Sequence, residues 1–244
     1  HLDTSYGVVG NTGTNGFPSS STPGGANPNT ITTFVADTKF SHDRGLFNAP
    51  FSLVISCATP GALIYFTTNG SPPSAANGVP YSAPVPITRT TVIRARAEMP
   101  GARPSNVDTQ SYLFLGDIIT QQTNGSPPPG WPSSWGNNVV DYGMDPEIVA
   151  QPPWSGTISN DLQAVPTISV VMRLADLFDA QTGIYANAEE QGIACERPCS
   201  IELIYPDGRS GFQVDAGARI RGGVSRLPNN PKHSFRFLCR EQYG

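Results

Sequence analysis

Five cations fall close together late in the chain: Arg219, Arg221, Arg226, Lys232 and Arg236, with Gly222-Gly223 among them. Guanidinium forks and an ammonium beside bare glycine backbone suit an anion, and phosphate best. Lys232 is the first candidate for a phosphate contact, with Arg221 and Arg226 adding charge and bidentate geometry. The competing expectation has these cations facing solvent on a twisted sheet, or pairing with acids such as Asp215 and Glu202. Gly222-Gly223 is neither a Walker loop nor a G-x-G-x-x-G loop, so it carries little weight alone.

Other reactive side chains are sparser. His233 and Ser234 are adjacent, and a strand would turn them to opposite faces, which argues against a nucleophile pair. Asp141, Asp145 and Glu147 offer oxygen to a hard cation such as Ca²⁺, although their spacing fits no established calcium loop. Asp145-Pro146-Glu147 reads equally well as a helix start, with Asp as cap and Pro in the first turn. The cysteines are Cys57, Cys195, Cys199 and Cys239, an even count that is compatible with export and disulfides. Cys195 could bridge to Cys199 within a loop, or Cys199 to Cys239 across neighbouring strands; free buried thiols are the alternative. The spacing is not that of a zinc site.

The elements that must position these groups read as strands and turns. The segment 201–205 alternates, Pro206-Asp207-Gly208 is a turn, and 212–216 and 218–221 return as strands ahead of the glycine pair. Upstream, 166–172 reads as a buried strand and 175–179 as one helical turn. With 38% hydrophobic and 14% charged residues, 25 Gly and 24 Pro, the chain of 244 residues favours one or two β-rich domains over long helices. A net charge of −4 gives no general attraction to nucleic acid or anionic membrane. No apolar run approaches the roughly 18 residues that a membrane span needs.

Four segments follow from composition and pattern. Residues 1–33 form an irregular Gly/Ser/Pro-rich arm, too poor in apolar residues to order alone. Residues 34–116 carry short alternating strands at 51–56, 63–68, 91–97 and 111–114 with turns between them, as in a small Ig-like antiparallel sandwich. Residues 117–163 are a connector with the stiff run Pro127-Pro128-Pro129-Gly130 and three tryptophans, Trp131, Trp135 and Trp154. These indoles either stack on sugar rings or pin the connector to its neighbours. Residues 164–244 begin a second domain whose last strand leaves open edges, to be covered by a protein partner or by further sequence. A start at His1 reads as a processed product or a fragment.

Two resemblances overlie this reading. The pattern PFSLVISCATPGALIYFTTNGSPPS … YSAPVPI … TTVIRARA is similar to the chitobiase/β-hexosaminidase C-terminal module, an Ig-like accessory domain, with Asn69-Gly70 where the common form has Asp-Gly. The ordered motifs ERP-x-SIE, PDG, GFQVDAGARIRGG-x-SR, PKHSFRF and YG resemble the N-terminal part of the spore-coat CotH kinase family, from about Trp131 onward. With the strand pattern, the two resemblances imply a mainly β chain: an Ig-like sandwich followed by the β-rich start of an α+β kinase-like domain. The second resemblance implies a secreted or cell-surface bacterial protein, using ATP and Mg²⁺ to phosphorylate extracellular proteins. The family's key aspartates lie C-terminal to the Lys-x-Ser motif, beyond Gly244, so no catalytic residue is expected in these 244 residues. The alternative is a non-catalytic extracellular assembly subunit that binds protein or glycan partners.

Overall fold

The computed structural model describes residues 6–9, 15–18, 25–26, 33–121, 127–135, 138–139, 142–230 and 232–243. In the lead, β1 (Gly7–Val8) pairs antiparallel with β2 (Asn15–Gly16). Phe17 stacks edge-on against Phe34 with ring centroids 5.1 Å apart, tying this short ladder to the domain that follows.

That domain consists of β3 (Thr38–Phe40), β4 (Gly45–Phe47), β5 (Phe51–Leu53), β6 (Ile55–Cys57), β7 (Leu63–Thr67), β8 (Val79–Pro80), β9 (Val85–Ile87), β10 (Thr91–Glu98) and β11 (Asp108–Phe114). One layer has the order β4-β11-β10-β7-β8, antiparallel except where β4 runs parallel to β11. The facing layer is made of two ladders, β3 with β6 and β5 with β9, which share the run 51–57. The period of two in β10 is what builds the sandwich: Ile93, Ala95 and Ala97 are fully buried on one face, while Arg94 and Arg96 take the other. Leu53, Ile55, Phe66, Ile87, Ile93 and Tyr112 close the core between the layers. Tyr112 is fully buried, and its hydroxyl donates to the His42 carbonyl at 2.9 Å, so no polar atom is stranded there. The expected Ig-like sandwich is therefore present.

The stretch after it is more helical than the connector expected from composition. It holds α1 (Leu115–Thr120), the ladder of β12 (Ser134–Trp135) with β13 (Asn138–Val139), α2 (Pro146–Val149) and α3 (Trp154–Leu162). The α3 sequence, WSGTISNDL, is built from weak helix formers and has no buried residue, so propensity could not announce it. Trp131 is pinned by ring contacts to Tyr142 at 5.2 Å and Phe178 at 5.6 Å, as the packing reading had it.

The last part is a four-stranded antiparallel sheet: β14 (Thr167–Val171), then α4 (Leu174–Phe178), β15 (Arg197–Ile204), β16 (Phe212–Arg221) and β17 (Ser234–Leu238), in the order β14-β15-β16-β17. One face is apolar: Cys199, Ile201, Ala216, Ala218 and Ile220 pack with Met172 and Ile184. The other face is polar, and it carries the candidate chemistry.

Candidate functional site

Alternation places Ser200, Glu202, Gln213, Asp215, Gly217, Arg219 and Arg221 on this polar face, in the register Ser200↔Asp215 and Glu202↔Gln213. Its first half is covered by the outer face of the module's β4-β11-β10-β7-β8 layer. Thr67, Arg94, Thr109 and Ser111 would be the solvent side of an isolated module, yet none is more than 5% exposed. Opposite them, Ser200 and Glu202 have no exposure at all. Two domains thus meet through a polar seam.

Most of the seam's buried polar groups are paired, as their burial demands, although Arg44 Nη1 is buried without a hydrogen-bond partner. The Ser111 backbone N–H donates to Glu202 Oε1 at 3.1 Å, and its hydroxyl donates to Glu202 Oε2. Arg44 Nε lies 3.5 Å from the same carboxylate. Arg94 donates to the Gly70 carbonyl at 3.1 Å, to Thr109 Oγ1 at 3.2 Å and to Asp215 Oδ1 at 3.5 Å. Burial pushes the Glu202 and Asp215 carboxyls above their usual range, despite hydrogen bonds from Ser111 and the charges of Arg44 and Arg94. The acids that might have neutralised the late cluster of cations are thereby taken by arginines of the module.

Beyond the seam the same face emerges into solvent at β16 and β17, where the candidate cations lie. Arg219 stands directly opposite Arg236, and Arg221 opposite Ser234. Such facing arginines repel, and a third group relieves them. Glu196, only 7% exposed, lies over Gly217 and accepts from Arg219 Nε at 2.7 Å and from the Tyr243 hydroxyl at 2.8 Å, with Arg240 Nε 3.1 Å away. Burial alone would raise its pKa; the Tyr243 and Arg219 hydrogen bonds and the Arg219 and Arg240 charges outweigh that and hold the carboxyl below its usual range. Glu196 and Arg197, adjacent in sequence, take separate roles. Arg197 instead donates to the Thr182 and Ala194 carbonyls.

Arg226, expected as a phosphate contact, is a brace. Its guanidinium donates to the carbonyls of Gly222, Ala188, Glu190 and Ile220, so its donors are spent on holding the glycine loop against residues 188–190. Lys232, Arg221 and Arg236 are exposed and form no ion pair among the described residues. His233 is buried while Ser234 is exposed, which separates them as strand geometry required.

The remaining candidates resolve as follows. All four cysteines are free thiols, so the disulfide expectation for Cys195, Cys199 and Cys239 is corrected. Cys199 pairs with Ala216, and Cys239 directly follows Leu238, which pairs with Gly217. Strand β16 therefore runs between them, and two strand spacings, roughly 10 Å, exceed a disulfide's reach. Cys195 belongs to the Ile193–Cys195 turn, where its thiol donates to the Gln191 carbonyl at 3.6 Å. Asp145 caps α2 by accepting from the Glu147 N–H at 2.8 Å, which is the helix-start reading; Asp141 lies outside the described residues. Among the described residues no three His, Cys, Asp or Glu side chains gather as a metal site. No helix among them is long and apolar enough to cross a membrane.

Sequence reasoning missed Glu196, Gly217, Arg94 and Arg44 as organising residues. The one available signal was polar side chains at strand positions, and that signal normally means solvent. No curated protein and no solved structure matches the chain. Residues 43–109 match the family model of the chitobiase/beta-hexosaminidase C-terminal domain, so the sandwich is similar to that domain, on the residues whose strand and turn pattern had suggested it.

Proposed function

We propose that this chain is part of a secreted or cell-surface bacterial multidomain protein of CotH type, in which the exposed end of β16 and β17 binds phosphate, in the fullest form that of ATP. The observation that carries this reading is the partition of the late cations. Arg219 and Arg226 are committed to internal partners, whereas Lys232 and Arg221 stand exposed and form no ion pair among the described residues. The ordered motifs around them, from ERP to PKHSFRF, support the same assignment. Lys232 supplies a point charge and Arg221 a two-pronged donor, a combination suited to a phosphoryl oxygen pair. The module serves as a rigidly mounted accessory piece. Transfer of the phosphoryl group, with Mg²⁺ as co-ion, would be the work of the complete domain.

The test is calorimetric titration of the chain with ATP and, separately, inorganic phosphate at low salt. Saturable binding that weakens about tenfold, or about 1.4 kcal/mol, in Lys232→Ala and further in the double variant with Arg221→Ala supports the proposal. Absence of saturation, or binding indifferent to both substitutions, overturns it.

A second reading is favoured by one finding, the match of the module to a domain of carbohydrate-active enzymes. In it the chain is a non-catalytic extracellular assembly or binding unit with glycan or protein partners.

A further inference from the structure

At one end of the seam the module and the sheet do not quite close. A cleft of about 610 Å³ remains there, within the range of small-molecule sites. The module contributes Arg96, Arg103 and Asn106; the sheet side contributes Gln213, Asp215 and Tyr243. Neither domain forms it alone.

We propose that this cleft binds a neutral sugar, of mono- or disaccharide size. The charges that line it balance: Arg96 and Arg103 face Asp215 and Glu241, so a net anion or cation gains little. What remains is a mixed set of donors and acceptors: two guanidiniums, the three amides of Asn106, Gln213 and Gln242, and carboxylate oxygens. These suit the vicinal hydroxyls of a pyranose, each of which donates and accepts at once.

The walls are already fixed. Gln213 Nε2 donates to Ser200 Oγ at 3.0 Å and to Asp215 Oδ1 at 3.3 Å. The Tyr243 hydroxyl is held by Glu196, and the Arg103 backbone is tied to Thr33 and Val35 at 2.8 and 2.9 Å. A rigid polar cleft binds without first being ordered, which lowers the entropic cost of binding. One donor is left over: Arg96 Nε is buried without a hydrogen-bond partner, 3.4 Å from Glu98 Oε1 in a charge contact that lacks hydrogen-bond geometry. Arg44 Nη1 elsewhere in the seam is also unpartnered, but of the two only Arg96 borders this cleft, where a ligand hydroxyl would relieve it with a small turn of the side chain.

The sugar site rests on and deepens the glycan-partner reading above; the cleft shares no lining residue with the exposed cations of β16 and β17, so it and the phosphate reading fail independently. The 244-residue chain would be titrated with glucose, N-acetylglucosamine and N,N′-diacetylchitobiose, followed by ligand-observed NMR and calorimetry. Saturable binding of at least one sugar is expected. It should weaken about tenfold or more in Arg96→Ala and in Asn106→Ala, and stay unchanged in Lys232→Ala. Asn106 is exposed, so its variant keeps the test alive if Arg96→Ala unfolds. No saturation by any of the three sugars at millimolar concentration overturns the proposal. So does binding that ignores both cleft substitutions, or a cleft that instead takes a zwitterionic dipeptide.

Discussion

Gly217 and Glu196 occupy one another's space: a Cβ on Gly217 would fall 2.5 Å from Glu196 Oε1 and 2.6 Å from its Cγ. The missing side chain of one residue is the seat of the other's carboxylate. Because Glu196 is gripped by Arg219, Arg240 and Tyr243, it has little freedom to step aside.

Gly217→Ala should therefore unseat the carboxylate and cost about 2–4 kcal/mol, the range for breaking a buried charged network. Urea unfolding would show it as a lowered midpoint. The double variant with Glu196→Ala should lose less than the sum of the single variants, since both act on one contact. Additive losses would refute the coupling.

The carboxylates should titrate with opposite signs. Glu196 is held below its usual range, so its contribution is present above the unfolded carboxyl pKa and is lost as pH falls through the folded value. Glu202 and Asp215 are raised by burial, so their contribution is fullest at low pH and is lost as pH rises through the folded values. Stability measured against pH for Glu196→Gln and Glu202→Gln checks this. The wild type's advantage over the first should shrink in acid; its standing relative to the second should improve.

The seam should fail at Gly70. Its φ is +78°, and a Cβ there would meet the Met172 carbonyl oxygen at 2.4 Å, while the Gly70 carbonyl itself accepts from Arg94. Gly70→Ala combines left-handed strain of about 1–3 kcal/mol with a backbone clash across the domain boundary. We expect calorimetry to resolve two unfolding transitions in this variant where the wild type shows one. A single transition in both would mean that the domains stay coupled through other contacts.

Thiol reactivity should separate Cys239 from Cys199. Burial, reinforced by the charge of Asp215, pushes the Cys199 thiol up to about 12, whereas Cys239 is exposed. The thiolate is the reactive form. Alkylation of the native protein at mildly alkaline pH should label Cys239 first and Cys199 only after unfolding, and reduction should leave the mass unchanged.

Much of the fold follows from sequence alone. The alternation of residues 91–97 and the turn at Asn69-Gly70 suffice for an Ig-like sandwich, because period and turn chemistry are local properties. The capping of α2 by Asp145 is equally local, and it was readable in the tripeptide Asp145-Pro146-Glu147. The helix α3 was not readable, because its residues are weak helix formers and none of them is buried, so neither propensity nor an apolar stripe announces it.

The sequence by itself determined the longer strands, among them 91–97, and their turns, while short pieces such as β3 and β4 went unread. Only the tertiary structure decided what covers the polar faces. Ser111 and Glu202 are 91 residues apart, and Arg94 and Asp215 are 121 apart. Alternation says that such side chains share a face different from the core; it does not say whether water or another domain lies against that face. The same holds for the late cations. Arg219, Arg221, Arg226 and Lys232 look equivalent in sequence, yet folding commits Arg219 to Glu196 and Arg226 to backbone carbonyls, leaving Arg221 and Lys232 at the surface. The physical reason is that a charge is assigned by its nearest opposite charge or carbonyl in space, and chain order does not fix that distance.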